Sequence, residues 1–316
     1  MLRLIYFGTA PFAVPALRAL LKERARFEVV AVVSQPDKPV GRKGEIIASP
    51  VAMLARKHGL PLLQPTTLRS DESAATLAAH KADLFVVAAY GKIIPKNILD
   101  LPRFGSLNLH GSLLPKYRGA SPIQTAILSG EEVTGVSLMV MDEAVDHGPI
   151  VATIEVPIAG DDTHATLETK LAEAGAALLV ALVEPFTKGE ITPTMQEHND
   201  ATFTKILERE DGLVHWRDEE AAQIGRKLRA YTPWPGMYFV LKKNGVDLRV
   251  KILAADVTDA PTGLPPGTYF VLANDSPAIA AKIGAVILRE VQPEGKKSMP
   301  GKAFVNGYKD FTGSLL

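Results

Sequence analysis

Residues 2–22, LRLIYFGTAPFAVPALRALLK, decide how the chain is to be read. Leu2 to Phe7 is a short apolar run closed by Gly8, the pattern of a buried strand. Phe12 to Lys22 carries apolar residues at helical spacing. Strand, tight turn and helix in that order open a fold in which helices wrap a mostly parallel sheet, with backbone N–H groups at the helix start available to an anion. A dinucleotide fingerprint needs three glycines at fixed spacing, and here Gly8 stands alone with Pro11 removing a donor, which argues against an oxidoreductase.

The alternation continues outward from this unit. Strands are expected at 27–34, 61–64, 84–89, 105–109 and 135–141, and helices at 50–58, 70–80, 121–129 and 162–183, the last opened by the capping residue Asp162. Residues 1–184 therefore read as one α/β domain. Residues 185–208, PFTKGEITPTMQEHNDATFTKILE, show little periodicity and read as a linker. Beyond them Asp218 to Leu228 has helical spacing. The period then changes to two: Val246, Leu248, Val250 and Ile252 alternate with polar residues, and Tyr269 to Leu272 and Ala285 to Val291 follow between turn signals. Residues 209–316 thus read as a small β-barrel or sandwich.

Composition narrows the function. The 316 residues hold 35 Lys plus Arg against 35 Asp plus Glu, so the chain lacks the basic surplus of a non-specific nucleic-acid binder, though a local basic patch is compatible with it. The absence of cysteine removes disulfides, thiolate metal sites and cysteine nucleophiles together. The apolar run at the N-terminus is too short for a signal peptide and carries Arg3, and nothing approaches the roughly 20 apolar residues of a membrane span. A cytoplasmic protein is expected, with no membrane partner.

Chemistry concentrates in Gly105-Ser106-Leu107-Asn108-Leu109-His110-Gly111-Ser112-Leu113-Leu114-Pro115. On a strand, residues two apart share a face, so Asn108 and His110 project together while Leu107 and Leu109 pack behind. They stand at the carboxyl end of a strand, where open α/β sheets bind ligands. Asn supplies a neutral donor for an oxyanion and His a proton acceptor. A third group must orient the ring. Asp146, in the acidic loop of Met141-Asp142-Glu143-Ala144-Val145-Asp146-His147-Gly148-Pro149-Ile150, can do so if the two strands are neighbours. Whether the adjacent His147 perturbs that carboxylate is left open by the sequence.

NLHGSLLPKYRGASPI (108–123), with MDEAVDHGPI (141–150) following it, resembles the signature of the 10-formyltetrahydrofolate-dependent formyltransferases. The resemblance implies a Rossmann-like catalytic domain, formyl transfer without a metal, and catalytic roles for Asn108, His110 and Asp146. It places Ser112, Leu113, Leu114 and Pro115 against the folate co-substrate. FVVAAYGKII (85–94) resembles the stretch that lines the pteridine pocket, which brings in Phe85, Tyr90, Gly91 and Ile93.

RAYTPWPG (229–236) and QPEGKKSMP (292–300) resemble the C-terminal, OB-like domain of the methionyl-tRNA branch of that family. This implies methionyl initiator tRNA as acceptor, hence a role in translation initiation, with a nucleotide-sugar amine or other small amine as the alternative. The loop QPDKPVGRKG (35–44) matches an arm that reaches the acceptor stem, so Lys38, Arg42 and Lys43 are expected to touch tRNA. Arg229, Lys296 and Lys297 are further candidates, as are Arg226, Lys227 and Lys302. Tyr231 and Trp234 read as core residues. A monomer is expected.

Overall fold

The computed structural model of the chain describes residues 1–40, 45–243, 246–273 and 275–308. The chain divides into two compact units: residues 1–122, 132–158 and 168–205 form the first, and 123–131, 159–167 and 206–316 the second.

In chain order the elements are β1 (Leu2–Gly8), α1 (Ala13–Lys22), β2 (Phe27–Val33), β3 (Lys38–Val40), β4 (Glu45–Ile47), α2 (Pro50–Lys57), β5 (Leu62–Leu63), α3 (Asp71–Ala79), β6 (Leu84–Ala88), α4 (Lys96–Leu99), β7 (Ser106–His110), β8 (Arg118–Gly119), α5 (Pro122–Ser129), β9 (Val133–Val140), β10 (Ile150–Pro157), α6 (His164–Thr187) and β11 (Phe203–Thr204). A seven-stranded sheet runs β10-β9-β7-β6-β1-β2-β5. The five strands from β7 to β5 are parallel, while β9 is antiparallel to both β7 and β10. The α/β reading with a mostly parallel sheet therefore holds. β6 is buried along its whole length, as expected of a parallel strand covered on both faces. Ser49 and Ser70 cap α2 and α3 by accepting from Ala52 N and Ser73 N.

One face of the sheet packs Phe7, Phe85 and Val87 against Ile98 and Leu99. Phe85 pairs with Ser106 and Val87 with Asn108, and the Ser106 hydroxyl donates to Leu99 O at 3.0 Å, so Asn108 and His110 share this face. Leu109 points the other way, toward α6 at Gly175. The period-two reading of β7 is thus realised, and its boundary lies one residue later than expected.

Elements also appear that the sequence did not announce. β10 interleaves Thr and Glu with its apolar residues because it is an edge strand with a wet side. α4 is too short to show a period. The basic loop after β2 is a hairpin, with β3 paired to β4 through Lys38 and Ile47, and Pro39 and Ile46. Residues 41–44, with Arg42 and Lys43, lie outside the described residues. The stretch read as a linker is not free chain. α6 continues past Pro185 to Thr187, Ile150 and Thr194 exchange backbone hydrogen bonds of 2.8 Å, and β11 pairs with β8 in parallel. Irregular sequence here reflects backbone groups that find partners singly and not in a long ladder.

The second unit adds α7 (Ala221–Tyr231), β12 (Met237–Lys243), β13 (Val246–Thr258), β14 (Tyr269–Val271), β15 (Pro277–Ala280), β16 (Ala285–Pro293), β17 (Met299–Pro300) and α8 (Gly301–Gly307). Its antiparallel sheet, β12-β13-β16-β15-β14 with β17 on β16, is a half-barrel. β13 bends at irregularities between Ile252 and Ala255, as barrel-like sheets require. Phe239, Ile224, Val250, Val291 and Phe304 fill the core. Tyr231 joins the interior, but Trp234 is 54% exposed. Pro233 and Pro235 keep that segment out of both α7 and β12, so the indole is left only partly covered. No helix among the described residues is long and apolar enough to cross a membrane.

Gly148, where the chain turns into β10, has no room for a side chain: an added Cβ would overlap the Val140 carbonyl. Gly59 has a φ of +65° and open space around it. Gly148→Ala should therefore lower stability by about 1–3 kcal/mol in denaturant unfolding. Gly59→Ala should cost only the left-handed penalty, about 1 kcal/mol.

Candidate active site

β7 delivers Asn108 and His110 to its carboxyl end, and the turn between β9 and β10 delivers Asp146 to the same place. Asp146 has a φ of +49°, a left-handed conformation that Asp tolerates better than most residues. Its Oδ1 accepts from Asn108 Nδ2 at 3.4 Å, and its Oδ2 stands 3.5 Å from His110 Nδ1. The Gly119 N–H donates to the same Oδ2 at 2.8 Å. All three side chains expected from the sequence therefore meet.

The imidazole is 6% exposed and its Nε2 lies 2.9 Å from Tyr117 O. A carbonyl can only accept, so Nε2 carries a hydrogen. In the neutral ring, Nδ1 is then the basic nitrogen, beside the Asp146 carboxylate. Gly119 at φ +109° and Tyr117 at φ +60° bend the chain so that carbonyl and amide point inward, and Tyr117 N is held by Thr202 Oγ1 at 2.8 Å.

The stretch 112–115 is pinned to β9: Ser137 Oγ donates to Ser112 O at 2.7 Å and accepts from Leu114 N at 3.0 Å. Ser112 Oγ donates to Lys116 O at 2.6 Å, and the residue is fully buried. Phe85 is 1% exposed with its ring 5.2 Å from that of Phe7. Neither Phe85 nor Ser112 offers surface to a ligand, which corrects the expectation that they line a pocket. Leu113 and Pro115 are half-buried, Leu114 is nearly covered, and Gly91 and Ile93 are open. Tyr90 is 2% exposed, edge-on to Phe7, and its hydroxyl finds no hydrogen-bond partner among the described residues. Burial pushes that phenol up to about 12, so it stays a donor at neutral pH.

His147 does not face Asp146. Its Nδ1 is 2.6 Å from Asp142 Oδ2, and its ring stacks on His198 at 4.0 Å. Of the expected tRNA residues, Lys38, Lys296 and Lys297 are exposed, the last two in the turn between β16 and β17. Arg42 and Lys43 lie outside the described residues. The Arg229 guanidinium donates to Asp162 O at 3.0 Å, and burial holds it below its usual range. Lys227 is buried, with Nζ on Leu213 O at 2.6 Å and Glu219 at 2.8 Å, so it is committed to the interior. Among the described residues no cluster of His, Asp or Glu is arranged to hold a metal.

Two buried residues at the site escaped the sequence reading. Gln196 donates from Nε2 to Asp146 O at 3.0 Å and Gly148 O at 2.7 Å. Its Oε1 accepts from Arg118 Nε at 3.1 Å and Arg118 Nη2 at 2.7 Å. Arg118 stood within the diagnostic stretch, but Gln196 lies 78 residues on, in a segment without period.

Residues 2–183 match the formyl transferase family, and residues 206–309 match the formyl transferase C-terminal domain. The methionyl-tRNA formyltransferase of Roseiflexus sp. (strain RS-1) is 42% identical over 315 residues, covering 100% of this chain and 95% of the relative. That of Bacillus subtilis (strain 168) is 40% identical over 319 residues, covering 100% and 98%. The chain belongs to the methionyl-tRNA formyltransferase family. The fold is also that of a Helicobacter canadensis N-formyltransferase solved with folinic acid and dTDP-3-aminofucose, at TM-score 0.62 and 18% identity, covering 91% of this chain and 99% of that one. HypX from Aquifex aeolicus, solved with tetrahydrofolic acid, aligns at TM-score 0.61 and 19% identity, and this chain spans 47% of its length. Folate is thus a ligand of structural relatives in this folate-dependent family.

The buried Tyr90 hydroxyl gives a direct test. Tyr90→Phe should melt at the same or a higher temperature, gaining up to about 1 kcal/mol, because it deletes a buried donor that has no partner among the described residues.

Proposed function

We propose that the chain transfers the formyl group of 10-formyltetrahydrofolate to the α-amino group of methionyl initiator tRNA. The observation that carries this reading is the meeting of Asn108, His110 and Asp146 at one strand end, on the face that Tyr90 also borders. Full-length identity near 40% to methionyl-tRNA formyltransferases favours the tRNA acceptor over a sugar amine, for which only the fold speaks.

The amine nitrogen attacks the formyl carbon, and the carbonyl electrons move onto oxygen. Asn108 Nδ2, held loosely at 3.4 Å by Asp146, turns its donor to that oxyanion. His110 Nδ1 takes the amine proton, and the Asp146 carboxylate stabilises the resulting imidazolium. As the oxyanion collapses, the bond from the formyl carbon to N10 breaks and the proton passes to N10. The products are formyl-methionyl-tRNA and tetrahydrofolate. Leu113, Leu114, Pro115, Gly91 and Ile93 are assigned to folate contact, while the buried Tyr90, like Phe85 and Ser112, is assigned to packing beneath the pocket. Lys38, Arg42, Lys43, Lys296 and Lys297 are assigned to the RNA backbone. Arg229 is kept as an RNA contact only insofar as it can release Asp162. The chain is proposed to act as a monomer in the cytoplasm.

The test is transfer of labelled formyl to methionyl initiator tRNA, beside elongator methionyl-tRNA and a nucleotide amino sugar. Selective labelling of the initiator is expected, and labelling of the sugar alone would overturn the acceptor assignment. Asn108→Ala should lower kcat roughly 10²- to 10³-fold with folding intact. Lys38→Ala should raise the KM for tRNA, reduce its salt slope by about one, and leave the KM for the folate unchanged.

A further inference from the structure

Arg118 is 3% exposed and Gln196 5%, so both are interior at the edge of an otherwise open site. Among the described residues no carboxylate pairs with Arg118; its guanidinium donates to the Gln196 amide oxygen and to His198 Nδ1 at 2.9 Å, and lies 5.9 Å from the Phe203 ring centre. A buried cation held only by neutral acceptors is expensive to place, and it is tolerated where its hydrogen bonds are fully used. Arg118 uses two of them on one atom, Gln196 Oε1. That fixes the amide so that its Nε2 can only face the other way, where Asp146 O and Gly148 O receive both of its hydrogens. The amide thereby grips the two carbonyls that bracket His147, in the turn where Asp146 itself has a left-handed backbone. Gly119, next to Arg118 in the chain, holds the carboxylate of the same Asp146. One dipeptide therefore controls Asp146 twice: directly at the side chain through Gly119 N, and at the backbone through Arg118 and Gln196.

We infer that Gln196, locked by Arg118, is a positioning residue for the formyl transfer, setting where the Asp146 carboxylate sits against His110 Nδ1 and Asn108 Nδ2. The inference rests on the catalytic reading of Asp146 given above. The hydrogen bonds of the Gln196 side chain run to the Asp146 and Gly148 carbonyls and to Arg118, so it acts on the site through the backbone of Asp146. Removing its two donors frees the turn to rotate about a strained φ, and a displacement of about 1 Å at a catalytic group costs on the order of 10²-fold in rate.

The experiment uses the full-length chain with Gln196→Met, which keeps length and volume but no hydrogen bonds, alone and combined with Asp146→Asn. Steady-state transfer to methionyl initiator tRNA is measured with wild type and the single variant, and single-turnover rates at enzyme excess are measured for all four proteins, each with its thermal transition. Gln196→Met is expected to lower kcat roughly 10- to 100-fold with both KM values changed less than about threefold. In the Asp146→Asn background the same substitution should change the rate less than about threefold, because a residue acting through Asp146 has nothing left to position. An equal loss in both backgrounds, or a kcat for Gln196→Met within about threefold of wild type, overturns the inference.

Should Gln196→Met fail to fold, Gln196→Glu replaces it. Its carboxylate pairs with Arg118 but meets the Asp146 and Gly148 carbonyls without a donor, so the same loss of kcat is expected in a protein that melts normally. Failure of both variants to fold assigns Gln196 a purely structural role and also overturns the inference. Normal transfer by Asp146→Asn alone would instead remove the catalytic role of Asp146, and with it the premise, whatever Gln196 does.

Discussion

The carboxylate of Asp146 is the knot to which the site is tied. It receives the Gly119 amide, faces His110 Nδ1 and accepts from Asn108, so the end of β7 and the bend at Gly119 both converge on its two oxygen atoms. Each neighbouring feature follows from keeping that group in place. The turn must be left-handed at Asp146, Gly148 must lack a side chain to pass Val140, and Gly119 must bend at positive φ to aim its N–H inward. The Gly119 bond to the carboxylate, at 2.8 Å, is charge-assisted and among the stronger polar contacts available to a protein, and it fixes Asp146 beside His110 and Asn108.

The sheet provides the rigidity that such an assembly requires. β7 lies between β6 and β9, both hydrogen-bonded to it, and α6 covers the reverse face. Asn108 and His110 are therefore mounted on a central strand, whereas Asp146 sits on a turn that needs its own support. That asymmetry fits the placement of Arg118 and Gln196, whose side-chain hydrogen bonds brace the Asp146 turn.

What could be read from the sequence follows from how far each signal reaches. Asn108 and His110 were legible because the period of two in Ser106–His110 is local, and the parallel sheet because its buried strands are short continuous apolar runs. β10 was missed because an edge strand mixes Thr and Glu into its pattern, and Trp234 was misread because aromatic residues are usually interior unless prolines exclude them from every element. The linker reading failed through Lys205 for a different reason. The partners of Thr194, Gln196 and Thr202 are 44 or more residues away, and single long-range hydrogen bonds leave no periodicity in a chain. His147 shows the converse case: adjacency to Asp146 in sequence placed it on the other side of the turn, facing Asp142.

The pairing of β8 with β11 has a consequence for the order in which the molecule can be assembled. A chain made from its N-terminus completes the strands of the large sheet by residue 157, well before residues 196 to 204 exist. Until those residues emerge, Arg118 has neither Gln196 nor His198 to bond and β8 has no partner strand. The sheet can thus form early as a scaffold, while the Asp146 turn is locked only when the chain returns across the edge of the first unit. The proposed catalytic centre is among the last parts of that unit to acquire its native geometry, and a nascent chain holds folded secondary structure before it holds the assembled site.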